Sequence, residues 1–261
     1  MTDALLLDSP IASRFLPSPN FGERRGRKRP DAIVLHYTGL PTAEEALARL
    51  RDPSSQVSAH YFVWENGEVA QLVSEDKRAW HAGAGFWAGE RDVNSASIGV
   101  EIVNYGHDGA LPPFPERQIE TAIALVREVA ARRAIRPERI LAHSDVAPAR
   151  KRDPGERFPW DALARAGVGH WVKPAPIEGG ALFSPGEQGP PIRAVQAMLA
   201  LYGYAIEMTG VYDAPTRAVV AAFQRHFRQA RVDGEADAST VATLRALIDA
   251  LHRDEGDARP R

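Results

Sequence analysis

The stretch Ala142–Trp160, AHSDVAPARKRDPGERFPW, concentrates a histidine, acids, a lysine and arginines on a segment punctuated by prolines. Polar groups this dense on a stiff segment, where proline opposes helix, are costly to hold unless they act on something. His143 closes the apolar run LAH, and Asp153 follows ten residues later in KRDPG. A second histidine at a strand end, His36 in VLHYTG, lies more than a hundred residues upstream. A catalytic zinc takes three protein ligands and keeps one position open. Two imidazoles and one carboxylate would leave such an ion enough positive charge to draw bound water toward hydroxide near neutral pH. The chain has no cysteine, so any zinc must be held by imidazole and carboxylate. A histidine at a strand end is nonetheless more often structural than ligating, and spacing alone leaves both readings open.

These residues need strands to carry them. Ala32–Tyr37, Ser58–Trp64, Glu68–Val73, Ser97–Val103 and Ile140–His143 are short apolar or β-branched runs. Asn66-Gly67 between the second and third predicts a type I′ hairpin. Pro115–Ala134 predicts a helix, with Ile119, Ile123, Val126 and Ala130 on one face, Glu116 in the first turn, and Arg132 and Arg133 near the end. Interleaved strands and helices with a hairpin point to an α/β class with a central mixed β-sheet flanked by helices.

Residues 173–190 are rich in proline and glycine and read as a linker between a domain over 1–172 and a small all-α domain over 191–252, with 253–261 as a frayed tail. The small domain opens with Pro191–Leu201, where Ile192, Val195, Met198 and Leu199 keep helical spacing. Two segments of the form G-x-x-D-A-x-T, starting at Gly210 and Gly234, each lead into a helix, Arg217–Phe227 and Val241–Leu251. Asp213 and Asp237 are their expected N-caps.

At 261 residues the chain is long enough for one large domain and a small one. A net charge of −2 argues against a nucleic-acid partner, and the run Arg24–Arg29 reads as a solvated basic loop. No segment has the apolar length of a membrane span. Met1–Pro10 offers only Ala4–Leu7 as an apolar run, and Asp3 stands where a secretory leader is basic. The expected location is therefore the cytoplasm, or the periplasm if a leader precedes this start.

Five motifs occur in order: His36 in VLHYTG; Ser58-Ala59-His60-Tyr61; Ala79-Trp80-His81-Ala82-Gly83; Ser97-Ile98-Gly99-Val100-Glu101; and His143-Ser144-Asp145-Val146-Ala147-Pro148 with Lys151 and Asp153-Pro154-Gly155. Together they closely resemble the zinc-dependent N-acetylmuramoyl-L-alanine amidases, the family shared with phage amidase lysozymes and peptidoglycan recognition proteins. The C-terminal segment resembles the helical peptidoglycan-binding domain found beside such hydrolases. The resemblance implies one zinc per chain on His36, His143 and Asp153, with Glu101 as general base and Lys151 as the cation meeting the oxyanion or leaving amine. It implies a muropeptide or peptidoglycan substrate, with soluble muropeptide recycling expected from the location. Trp80, His81, Asn94 and Asn104 are candidate substrate contacts, and core packing is an equal reading for Trp80. His60 is expected to be structurally satisfied. Asp145, Arg150 and Arg152 are left without a role.

Overall fold

The computed structural model describes residues 7–26 and 29–257. Ala4–Leu7 up to its last residue, Arg27 and Lys28 of the basic run, and the end of the tail lie outside the described residues. The chain begins with β1 (Arg14–Phe15), β2 (Phe21–Glu23), β3 (Ala32–Tyr37), α1 (Ala43–Arg51), β4 (Tyr61–Val63), β5 (Val69–Gln71) and β6 (Lys77–Ala79). Next come α2 (Val93–Ala96), β7 (Ser97–Ile102), α3 (Glu116–Arg133), β8 (Ile140–Ala142), α4 (His143–Val146) and α5 (Trp160–Arg165). The remainder is β9 (Ala181–Phe183), α6 (Pro190–Tyr202), α7 (Ala214–Phe227), β10 (Ala236–Asp237) and α8 (Ala238–Asp257).

Six strands form one sheet in the order β1-β5-β4-β7-β3-β8. All neighbours run parallel except the β4–β5 hairpin, so the sheet is mixed, as expected. Alternation along each strand sorts side chains between two cores. On one face Ile33, Leu35, Ile98, Val100 and Ile102 meet Ile119, Leu125, Val126 and Val129 of α3. On the other, Ala32, Val34 and Leu141 pack with Ile192, Val195, Leu199, Val219, Phe223 and Leu247 of the C-terminal helices. Each fully buried aliphatic side chain contributes roughly 1.5–3 kcal/mol, which gives both layers a firm hold on the sheet.

The C-terminal unit is therefore packed against the sheet rather than tethered to it. Asp213 and Asp237 cap as expected, accepting from the Thr216 and Thr240 backbone N–H groups at 2.9 and 2.7 Å. The linker supplies β9, which pairs with β10 as a small ladder at the edge of the helices.

Two local expectations change. The β4–β5 hairpin turns at Asn66-Gly67, but only Gly67 takes positive φ (82°). The Trp64 carbonyl accepts from Gly67 N–H, Trp64 N–H donates to the Glu68 carbonyl, and Asn66 Oδ1 accepts from Glu68 N–H. This is the longer turn with a left-handed glycine at its end, not type I′, which needs positive φ at both positions. His143 does not end β8 but opens the single helical turn α4, which stops at Val146 because Pro148 disfavours helical backbone at Ala147.

Glu75 ties the sheet to the end of α3. Its buried carboxylate accepts from Tyr61 Oη at 2.5 Å, from Arg132 at 2.7 and 2.8 Å and from Arg133 at 2.6 Å. Burial alone would raise its pKa, but the hydrogen bonds from Arg132, Tyr61 and Arg133 outweigh it and hold the group down to about 2. The stability this gives is complete above the ordinary value of 4.5 and is lost as pH falls from there through about 2. Glu75→Gln should remove about 3 kcal/mol at neutral pH and flatten the loss of stability below pH 4.5, measured by denaturant unfolding across pH.

Candidate metal centre

His36 stands near the end of β3, Glu101 occupies the paired position on the neighbouring parallel strand β7, and His143 follows directly after β8. All three thus emerge at the carboxyl edge of the parallel strands, the usual ligand edge of such sheets. Asp153 is brought back to them by its carbonyl, which accepts from Ser144 N–H at 3.0 Å. Asp153 Oδ2 lies 3.0 Å from His36 Nδ1 and 2.9 Å from His143 Nδ1, and the two Nδ1 atoms are 2.9 Å apart. Among the described residues this is the group of side chains placed to hold a metal ion, and all three are buried.

The outer hydrogen bonds of the two histidines decide what their inner nitrogens can do. His143 Nε2 faces the Ala82 carbonyl at 3.0 Å, so it must carry the proton. Ser97 Oγ donates to the Val93 carbonyl at 2.5 Å and so accepts from His81 Nε2 at 3.3 Å. His81 Nδ1 is then an acceptor, and His36 Nε2, 3.1 Å away, must donate to it. Both histidines thereby carry a proton on Nε2 and turn Nδ1 toward the Asp153 carboxylate. Burial, then the neighbouring His143, pushes His36 down to about 4, so the ring stays neutral. Burial works against the Asp153 anion, yet His143 and His36 keep it well below the usual carboxylate range. Two Nδ1 atoms and a carboxylate oxygen lie within 3.0 Å of one another, where one metal cation would meet all three. The donor set fits a metal ion.

Glu101 has the same face of the sheet as His36, and its Oε2 is buried without a hydrogen-bond partner. Burial, then the Asp153 charge, raises its pKa well above the ordinary carboxylate value, while Lys151 pulls it back. Lys151 also acts electrostatically on His36, so its ammonium is near both groups. His36, His143, Asp153, Glu101 and Lys151 line one cleft of about 440 Å³, together with Tyr37, Arg49, Trp80 and Arg150. An acid with a raised pKa, a cation and a metal-competent triad in one cleft can run hydrolysis of a polarised carbonyl.

The candidate substrate contacts divide. Trp80 lines the cleft and is partly exposed. His81 borders it, but both ring nitrogens are spent on His36 and Ser97, leaving none for a peptide. Its ring lies so close to β7 that a Cβ at Gly99 would meet it at 2.4 Å, which explains the glycine of SIGVE. Asn94 is buried, with Oδ1 accepting from His81 and Ala82 N–H, so it shapes the loop behind the candidate ligands. Asn104 is also buried, donating to the Pro112 carbonyl and accepting from Gly106 N–H. His60 is satisfied as expected, between Gly99 N–H and the Lys77 carbonyl.

Two residues without an expected role acquire one. Arg150 donates to the Ala82 and Ala84 carbonyls, clamping the loop that orients His143. Asp145 is fully buried and accepts from Ala142 N–H at 2.8 Å, Tyr204 Oη at 2.7 Å and His226 Nδ1 at 2.7 Å. His226 is stacked between Trp160 and Phe227. The turn bearing His143 is therefore bolted to α7 and to the segment after α6. An acid two residues past a candidate ligand was the available signal, but its partners are 59 and 81 residues away.

Residues 26–156 match the family model described as N-acetylmuramoyl-L-alanine amidase, and residues 188–244 match a putative peptidoglycan binding domain. The chain is 37% identical over 238 residues to the N-acetylmuramoyl-L-alanine amidase AmiD of Escherichia coli, covering 85% of this chain and 83% of that protein. It is 34% identical over 167 residues to the 1,6-anhydro-N-acetylmuramyl-L-alanine amidase AmpD of Enterobacter cloacae, covering 58% of this chain and 87% of that one. The solved structure of E. coli AmiD with anhydro-N-acetylmuramic acid-L-Ala-D-gamma-Glu-L-Lys superposes with a TM-score of 0.72 at 34% identity, over 88% of this chain and 98% of that chain.

Replacing His81 by alanine frees the His36 tautomer while sparing every candidate ligand. His81→Ala should weaken metal affinity about 10- to 100-fold, read by competition with a chromophoric chelator. Unchanged affinity would show that the outer chain does not orient His36.

Proposed function

Because the chain belongs to the N-acetylmuramoyl-L-alanine amidase family, we propose that its cleft hydrolyses the amide between the lactyl group of N-acetylmuramic acid, the anhydro form included, and the L-alanine of the stem peptide. The convergence of two imidazole Nδ1 atoms and a carboxylate beside the unpartnered Glu101 oxygen carries this reading. We assign one zinc ion to His36, His143 and Asp153, a donor set of nitrogen and oxygen that suits it in a chain without cysteine. Zinc bound there would supply a Lewis acid for the amide carbonyl and lower the pKa of water in the cleft.

The remaining steps fall to the chain's own side chains. Glu101 takes a proton from the attacking water as its oxygen joins the carbonyl carbon. Burial that raises the Glu101 pKa makes it a base strong enough for this and an acid able to pass the proton on. The Lys151 ammonium stabilises the negative charge gathering on the carbonyl oxygen. When the C–N bond breaks, the proton held by Glu101 goes to the departing alanine nitrogen. The products are the muramic acid carboxylate and a stem peptide with a free amine.

We take residues 1–172 as the amidase domain, 173–190 as the linker and 191–252 as a peptidoglycan-binding-like domain, a division supported by the two family matches. In the cell we place the reaction in cytoplasmic muropeptide recycling, supported by the likeness of the catalytic part to 1,6-anhydro-N-acetylmuramyl-L-alanine amidases. A second reading, action on polymeric peptidoglycan outside the cytoplasm, draws support from a likeness to AmiD that extends over the C-terminal unit. Hydrolysis of soluble anhydromuropeptides, followed by mass spectrometry beside intact sacculi, separates the two: recycling predicts a strong preference for the soluble substrate. Release of stem peptide from neither would overturn the amidase reading.

The roles of the two catalytic candidates are separable from metal binding. Glu101→Gln and Lys151→Ala should retain one zinc per chain yet lose about 10²- to 10⁴-fold in kcat. Wild-type turnover in either variant would remove that residue from the mechanism.

A further inference from the structure

A second groove, of about 540 Å³, runs between the ligand-bearing loop and α7. Its walls carry Arg150, Lys151 and Arg152 from the loop and Arg217 and Arg225 from α7, with Asp233 as the acid among its lining residues. The first three also line the catalytic cleft, so the two spaces share a wall.

Most of these charges are already engaged. Arg150 is spent on the Ala82 and Ala84 carbonyls, and Arg217 points to the Asp233 carbonyl. The Asp233 carboxylate accepts from Gln224 and Glu235 N–H and pairs with Arg231 at 3.2 Å. Arg152 and Arg225 are different. Arg152 reaches only the highly exposed Asp108, at 3.6 Å. Arg225 Nε is buried without a hydrogen-bond partner and lies 3.8 Å from Glu156, whose carboxylate also faces His107 at 3.0 Å. Burial destabilises the Arg225 charge; Glu156 offsets part of this, and Arg152 adds repulsion. A mostly buried guanidinium with an unpartnered donor, lining the same groove as a second arginine whose charge repels it, is a poor structural arrangement and a good receptor for a carboxylate.

We propose that Arg152 and Arg225 form a subsite for the α-carboxylate of the second stem-peptide residue, a γ-linked glutamate, so that the C-terminal helices take part in substrate selection. The inference rests on the amidase reading above. With the scissile amide beside Lys151, an extended peptide advancing about 3.3–3.6 Å per residue toward α7 would bring its second residue over the adjoining groove. A glutamate joined through its γ-carboxyl leaves its α-carboxylate free, and the ligand of the similar E. coli amidase contains that linkage. A planar guanidinium pair recognises this anion in a way an amide cannot reproduce.

The experiment compares anhydromuramoyl-L-Ala-D-γ-Glu-L-Lys with the same compound amidated at the glutamate α-carboxyl. The wild-type protein should favour the acid about tenfold or more in kcat/KM, chiefly through KM. Arg225→Gln and Arg152→Gln should each bring that ratio close to unity, and Arg225→Lys should restore only part of it. Arg152 is half exposed, so its variant serves even where the Arg225 variants fold poorly. No acid preference in the wild-type protein, or equal losses on both substrates in the variants, would overturn the subsite. Cleavage of neither compound by the wild-type protein would instead overturn the amidase reading, and the subsite with it.

Discussion

Two imidazoles whose Nδ1 atoms both face one carboxylate are the constraint around which this molecule is built. That orientation is set from outside the cluster. The Ala82 carbonyl claims the Nε2 proton of His143, while the chain His36–His81–Ser97–Val93 claims that of His36. Asn94 and Arg150 in turn hold the loop that presents His81 and Ala82. Remove any of these and a ring can rotate or take its other tautomer, which turns a candidate metal ligand into an ordinary buried histidine.

The sheet makes the cluster possible by bringing three strand ends side by side. β3 and β7 pair in a register that sets His36 opposite Glu101, and β3 and β8 pair so that His143 follows one step beyond. A slip of one residue would turn His36 toward the α3 core and break the site. The register is protected because both faces are covered, by α3 on one side and by the C-terminal helices on the other. Asp145 adds a polar bolt between that second layer and the His143 turn. The helical unit is thus part of the scaffold of the active site as well as a neighbour of its cleft.

Much of this was legible from the chain. The strand Ala32–Tyr37 has the boundaries that its apolar run suggests, and α3 lies within one residue of its periodic segment. The aspartate caps of α7 and α8 were readable because capping is local: donor and acceptor are three residues apart. The hairpin position was readable for the same reason, while its turn type was not, since Asn66 Oδ1 and the Gly67 backbone settle it by competing hydrogen bonds. The roles of His81, Asn94 and Asn104 were not legible, because a polar residue near a glycine-rich loop suits a substrate contact and a buried loop clamp equally well. Only the direction of each side chain separates the two, and that direction depends on strands distant in sequence.

What the sequence determined by itself is the inventory and the short-range order. It supplied a cysteine-free set of nitrogen and oxygen donors, the strand and helix runs, and motifs specific enough to mark a family. The tertiary structure decided which of those donors meet, which tautomer each histidine keeps, and that the unassigned Asp145 fastens a distant helical unit to a ligand turn. The division has a physical reason. Capping and periodicity are satisfied within a few residues, whereas lone-pair direction and the pairing of buried charge are set by partners that only the folded sheet brings within 3 Å.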